Sequence, residues 1–277
     1  MKTRIITAVV LVLAVLPIII FSHTLAFPIA LAVISLVSAL EMMRCTGCIR
    51  DMWFSIPGAI LAVLIPLGAW FIDEKQQFIF LTVAVLYIFF MYVLSATVLK
   101  KGKQKISDSC FNFAALVYVV TGFTSVVLIR CLDKGAYLYL MVFVASCVTD
   151  IFAYFTGRLF GRHKLIVEVS PKKTVEGAVG GLLFCSAGFA VYGFCIGQMF
   201  GTVPNYIALA LAGAILSVIS QFGDLIASLI KREYGIKDFG RILPGHGGFL
   251  DRFDSSIAIA PVLLILCSFP QFFTLFG

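Results

Sequence analysis

Charge is what this chain has least of. Asp, Glu, Lys and Arg make up 13% of its 277 residues, against 61% hydrophobic residues. A soluble domain of this size would lack polar cover for its surface, so that class is excluded. Alternating strands of about ten residues, the mark of a transmembrane barrel, are also missing. There is no G-x-x-x-x-G-K-[S/T] and no G-x-G-x-x-G, which removes the two common nucleotide loops. No basic-aromatic module of the kind that binds nucleic acid is present, so nucleic acid is not an expected partner. The eight cysteines are scattered and imply no disulfide framework. Cys110, Cys147, Cys185, Cys195 and Cys267 fall in or beside apolar runs, where cysteine behaves as a small hydrophobe. Cys45-x-x-Cys48 could bind zinc or cycle redox state, but with no second pair at zinc spacing the small-hydrophobe reading is preferred.

What remains is a succession of apolar runs, each about the 17–25 residues needed to cross roughly 30 Å of hydrocarbon. The expected fold class is an all-α, polytopic helical membrane protein with about nine transmembrane helices. The runs are Ile5–Phe21, Leu25–Leu40, Trp53–Ile72, Phe78–Leu99, Phe111–Ile129, Ala136–Phe155, Val175–Phe200, Pro204–Ile230 and Ser255–Phe276. The first follows Lys2 and Arg4 as a signal peptide would, but no small-x-small cleavage site comes after it, so it reads as a retained helix. With the N-terminus in the cytoplasm and the C-terminus outside, only Lys75, Arg130 and Lys134 of the 21 basic residues face outward. That asymmetry is the positive-inside pattern, and the net charge of +7 is the excess expected of loops facing anionic lipid.

This topology puts loops 157–174 and 231–254 on the cytoplasmic side, within a catalytic region 131–277 that follows a membrane scaffold, 1–130. In Pro204–Ile230, Ser217, Gln221, Asp224, Ser228 and Lys231 recur at helical spacing and share a face. A polar stripe with a carboxylate on an apolar helix should face the bundle interior or a water-filled cavity. Ser146, Asp150, Tyr154 and Gly157 repeat the pattern one span earlier, with Asp150 either a second inward acid or an ion-pair partner for Arg158 or Lys172. Asp251 and Asp254 open the last run on one helix face, where capping needs only one acid. Together with Asp224, these carboxylates suit a hard cation such as Mg²⁺. The cluster holds one histidine and no cysteine, which disfavours zinc. Pro244-Gly-His-Gly-Gly248 is a side-chain-poor stretch whose backbone N–H groups can approach a phosphate. His246 within it could donate to a phosphate or cap a turn. Arg158, Arg162, Lys164, Lys172 and Lys173 make the preceding loop cationic, and Ser170-Pro-Lys-Lys-Thr174-x-Glu176-Gly177 resembles a turn into a helix with a capping box.

One long pattern unites these segments. Ser228-x-Ile230-Lys231-Arg232, Lys237-Asp238, Gly240 and Pro244-x-His246-Gly247-Gly248-Phe249-x-Asp251-Arg252-Phe253-Asp254 resembles the signature of the phosphatidate cytidylyltransferases, also called CDP-diacylglycerol synthases. Asp150-x-x-Ala153-Tyr154-x-x-Gly157-Arg158 and the segment 170–177 also look like family blocks. The resemblance implies a nine-span, usually dimeric enzyme of the inner or plasma membrane of bacteria, with its active site on the cytoplasmic side. It would make CDP-diacylglycerol and pyrophosphate from CTP and phosphatidate, for phospholipid biosynthesis. It implies Mg²⁺, with a second, monovalent cation such as K⁺ left open. Asp224 and Asp251 take the family's metal-ligand positions, Asp150 is added as a further metal ligand, and Asp254 is assigned to the same site as a catalytic residue. Lys172, Lys173, Lys231 and Arg232 would neutralise phosphates. Ser170, Thr174, Ser228, Lys237, Arg241, His246, Gly247, Gly248 and Arg252 would contact substrates. A CTP-dependent lipid kinase would use similar charges but release CDP. A transporter relaying ions through Asp150 and Asp224 fits less well, because the acids cluster toward one side and no repeated pair of broken helices is present.

Overall fold

Inside hydrocarbon a backbone must satisfy its own polar groups, and a helix does so within one segment. The computed structural model describes residues 13, 15–100, 105–245, 247–269 and 273–277. Its elements are α1 (Ala26–Cys45), a 3₁₀ turn (Cys48–Arg50), α2 (Met52–Phe71), α3 (Lys75–Leu99), α4 (Ile106–Arg130), α5 (Gly135–Leu138) and α6 (Leu140–Phe160). Next come β1 (Lys164–Ile166), β2 (Ser170–Thr174), α7 (Val175–Phe200), α8 (Tyr206–Glu233) and α9 (Leu250–Ser268). Among the described residues, seven helical stretches are long and apolar enough to cross a membrane: α1 to α4, the stretch Gly135–Phe160, α7 and α8. The chain is an all-α polytopic membrane protein. Most of the expected span Ile5–Phe21 lies outside the described residues, although residues 15–20 are helical. Lys2, Arg4, Lys101, Lys103 and His246 lie outside them too.

The chain divides into two compact units. One gathers the described residues up to Cys131 together with Tyr234–Phe253. Its inner helix is α4, whose apolar window is 72% buried, whereas that of α3 is only 17% buried and lies on the outside of the unit. Phe89 on α3 meets Phe54 of α2 at 5.6 Å and Phe113 of α4 at 6.0 Å between ring centres. Asp51 caps α2 by accepting from the Trp53 N–H at 3.3 Å, and it also pairs with Lys100. The other unit comprises Leu132–Glu233 and Asp254–Gly277. Here α7 packs against both α6 and α8, close enough that a Cβ on Gly213 would stand 2.9 Å from the Cys185 carbonyl. The chain end is pinned in this unit: Asn205 N–H donates to the Leu275 carbonyl at 2.9 Å and Lys134 Nζ to the Phe276 carbonyl at 2.9 Å.

Loop 157–174 differs from expectation. α6 continues through Phe160, since no proline interrupts Tyr154–Phe160 and Arg158 Nη1 donates back to the Tyr154 hydroxyl at 3.1 Å, one turn earlier. The remainder is an antiparallel hairpin, with Lys164 opposite Thr174 and Ile166 opposite Ser170. The β-branched Ile166 and Thr174 favour extended backbone within the strands, and Pro171 is tolerated because a two-stranded ribbon has only edge strands. The last helix is shorter than the apolar run Ser255–Phe276, for it stops at Ser268, two residues before Pro270.

Candidate functional site

In the second unit, α6, the hairpin, α7 and α8 surround a cavity of about 300 Å³. Asp150, Tyr154 and Arg158 come from α6, Lys172 and Lys173 from β2, and Gln221 and Asp224 from α8. Of the polar stripe on α8, Gln221 and Asp224 reach this cavity, whereas Ser217 is buried. Lys173 Nζ lies 2.7 Å from Asp224 Oδ2 and also donates to the Gln221 carbonyl at 3.3 Å. Ser228 Oγ donates to Asp224 Oδ1 at 3.4 Å, one helical turn on. Gln221 Nε2 donates to the Ala178 carbonyl at 3.1 Å, tying α8 to α7. Asp224 is only a third exposed, and these donors surround its carboxylate.

Thr174 is the N-cap of α7, and its hydroxyl oxygen accepts from the Gly177 N–H at 3.1 Å. The sequence suggested a capping box in this segment, but the acid acts elsewhere. Glu176 accepts from the His163 N–H at 3.2 Å and pairs with His163 Nδ1 at 2.7 Å, anchoring the start of the hairpin. The hairpin is held close to the helices because Gly157 and Gly177 face each other. A Cβ on Gly157 would come within 2.7 Å of Thr174 Oγ1, and one on Gly177 within 2.6 Å of the Ala153 carbonyl. Ser170 is half-buried in β2, while Arg232 is exposed and Lys231 half-buried in the last turn of α8.

Asp254, just ahead of the last apolar run, has its carboxyl pushed up to about 7, by burial first and then by the charge of Asp224, with Asp150 adding a smaller repulsion. Crowded carboxylates of this kind favour a cation. All are hard oxygen donors, which fits Mg²⁺. Among the described residues, no three His, Cys, Asp or Glu side chains form a ready-made metal cage. Mg²⁺ does not need one, because it commonly takes one or two protein carboxylates and completes its shell with water and substrate phosphate.

In the first unit, Lys237, Asp238, Arg241, Gly247 and Arg252 line an open cleft of about 650 Å³. Gly245 and Gly247 adopt φ of +78° and +86°, which a side chain would strain. Asp251 is buried, and its Oδ2 accepts from the Phe239 N–H at 2.8 Å and the Gly248 N–H at 3.0 Å. One oxygen of this expected metal ligand is thus committed to holding the loop. Sequence reasoning missed Glu41. It is fully buried on α1 and accepts from the Phe249 N–H (Oε1, 3.1 Å) and the Leu250 N–H (Oε2, 2.8 Å). The available signal was a lone acid immediately after the apolar run Leu25–Leu40. The helix continues past that run to Cys45. Cys48 is buried and burial pushes its thiol up, while Cys45 is half-buried.

Residues 2–269 match the Cytidylyltransferase family. The chain belongs to that family. Among curated relatives, a protein of Staphylococcus saprophyticus named phosphatidate cytidylyltransferase is 37% identical over 279 residues, covering 96% of this chain and 98% of its own. Proteins of the same name from Staphylococcus epidermidis and Staphylococcus aureus are 39% and 37% identical, each over 96% of this chain and 98% of their own. The match runs through both units, including the N-terminal helices in which the sequence offered no polar motif.

Proposed function

We propose that the chain transfers the cytidylyl group of CTP to phosphatidate, giving CDP-diacylglycerol and pyrophosphate for phospholipid biosynthesis. The observation that carries this reading is the cavity of the second unit, where Lys172, Lys173 and Arg158 stand beside Asp224 and Asp150 among apolar neighbours such as Ala153, Leu165 and Ala178. Such a mixture suits a phosphate attached to a lipid.

A phosphatidate oxygen attacks the α-phosphorus of CTP. The new P–O bond forms as the α–β bridge breaks, and pyrophosphate leaves with the electron pair. The attacking phosphate is already an anion at neutral pH, so no strong general base is required. The obstacle is repulsion between two polyanions, and the remedy is charge neutralisation and alignment. Lys172, Lys173, Lys231 and Arg232 supply positive charge to the phosphates. Lys237, Arg241 and Arg252, with the backbone of Gly247 and the side chain of His246, are assigned to the triphosphate, and Gly248, whose N–H is held by Asp251 Oδ2, shapes the loop beside it. Ser170, Thr174 and Ser228 are assigned to substrate contacts, Thr174 while its oxygen caps α7 and Ser228 beside the Asp224 carboxylate to which it donates. The proposed ligands of Mg²⁺ are Asp224 and Asp251, with Asp254 and Asp150 in supporting positions; the motif carries this assignment. Mg²⁺ supplies charge stabilisation on phosphate oxygens when bound, and K⁺ is a candidate second ion.

The proposed topology has nine spans, the N-terminus and active site cytoplasmic, and the C-terminus outside, in the plasma membrane of a bacterium as a homodimer. The distribution of Lys and Arg supports the orientation. The test is purified protein in detergent with phosphatidate, Mg²⁺ and CTP labelled in the cytosine ring. Label in the lipid fraction is expected. Phosphorylated lipid without the label would replace this reading with a kinase.

A further inference from the structure

Glu41 stands in the half of the chain where the sequence shows no motif, yet it holds the glycine-rich loop from within. Both carboxylate oxygens are used, one on the Phe249 N–H and one on the Leu250 N–H, at the start of α9. The carboxylate also fills the space that a Cβ on Gly240 or Gly248 would need. Both glycines are therefore required by the acid, whatever a phosphate asks of them. Asp251 closes the same loop from the other side through the Phe239 and Gly248 N–H groups. The Leu243 N–H to Gly247 carbonyl bond, at 2.9 Å, draws in its tip.

We infer that Glu41 is a positioning residue for nucleotide binding: its buried carboxylate fixes the loop 239–250 so that Lys237, Arg241 and Arg252 converge on the triphosphate of CTP. This inference rests on the cytidylyl-transfer reading. A fully buried carboxylate between two amide donors has no equivalent among neutral side chains. In Glu41→Gln one backbone N–H faces an NH₂ group, so a donor meets a donor. Glu41→Asp keeps the charge but withdraws it by one methylene.

The experiment compares wild type, Glu41→Gln and Glu41→Asp in detergent by two measurements. One is equilibrium binding of CTP with Mg²⁺. The other is the rate of tryptic cleavage at Lys237 and Arg241 relative to cleavage at Lys164 and Lys172 in the hairpin. Glu41→Gln is expected to weaken CTP binding about tenfold, the scale of one lost hydrogen bond to a charged group. It should also speed cleavage at Lys237 and Arg241 while leaving the hairpin sites unchanged. Glu41→Asp should fall between the two proteins. Unchanged CTP affinity, or cleavage accelerated equally at all four sites, would overturn the inference and leave Glu41 as a general packing residue. A variant too unstable to purify without either lesion in Glu41→Asp would overturn it in the same way. If wild type binds CTP but forms no cytidylyl lipid, the proposed reaction fails while the positioning role stands on the binding and cleavage data.

Discussion

The ion pair between Lys173 and Asp224 separates stability from chemistry. The groups are 2.7 Å apart, and their side chains are 25% and 33% exposed, between the surface and buried regimes. Fully exposed pairs contribute about 0–1 kcal/mol, whereas removing one partner of a buried pair costs about 3–5 kcal/mol. Lys173→Met should therefore cost about 1–2 kcal/mol, because it leaves the half-buried Asp224 with the Ser228 hydroxyl as a weak donor. Asp224→Asn should cost a similar amount by stranding the ammonium. In the double variant no charge is stranded, so its loss should be smaller than the sum of the single losses by about 1 kcal/mol. Activity should behave differently: if Lys173 serves phosphate and Asp224 serves the cation, the double variant stays as inactive as Asp224→Asn. The assays are thermal unfolding in detergent and cytidylyl transfer on the same preparations. Recovery of turnover together with stability in the double variant would refute the catalytic reading and make the pair purely structural. Additive stability losses would refute the pair itself.

Other positions give independent checks. Thr174→Ala removes the cap of α7 and should cost about 1 kcal/mol in thermal unfolding, whereas Thr174→Ser should retain most of it. Gly213→Ala pushes a methyl group against backbone of α7 at Cys185 and Ser186, and should destabilise by about 1–3 kcal/mol because neither backbone yields cheaply. Cys48 is buried and its thiol is pushed up. It should alkylate with iodoacetamide at pH 8 more slowly than the half-buried Cys45, as read by mass spectrometry, and purified protein should carry no zinc.

Periodicity made parts of this molecule legible in advance. Asp224 could be placed on an inward face because helical spacing aligns it with Ser217, Gln221 and Ser228, and the cavity lies along that face. Asp150 and Tyr154 share a face of α6 by the same rule and line that cavity, but both remain exposed. The hairpin was harder to see because Ser170–Thr174 offers polar loop chemistry, while its pairing with Lys164–Ile166 depends on partners across a turn. The pairing of Lys173 with Asp224 joins residues about fifty positions apart, and no local pattern encodes it. Glu41 was invisible for a related reason. Its partners Phe249 and Leu250 lie some two hundred residues along the chain, and a single acid at the end of an apolar run ordinarily marks the membrane surface.

The water-soluble product tests the central claim most directly. Purified wild-type protein given CTP, phosphatidate and Mg²⁺ should release one pyrophosphate for each lipid converted, with no CDP, as followed by phosphorus NMR. CDP appearing in step with phosphorylated lipid, or CTP consumed without phosphatidate, would contradict the account.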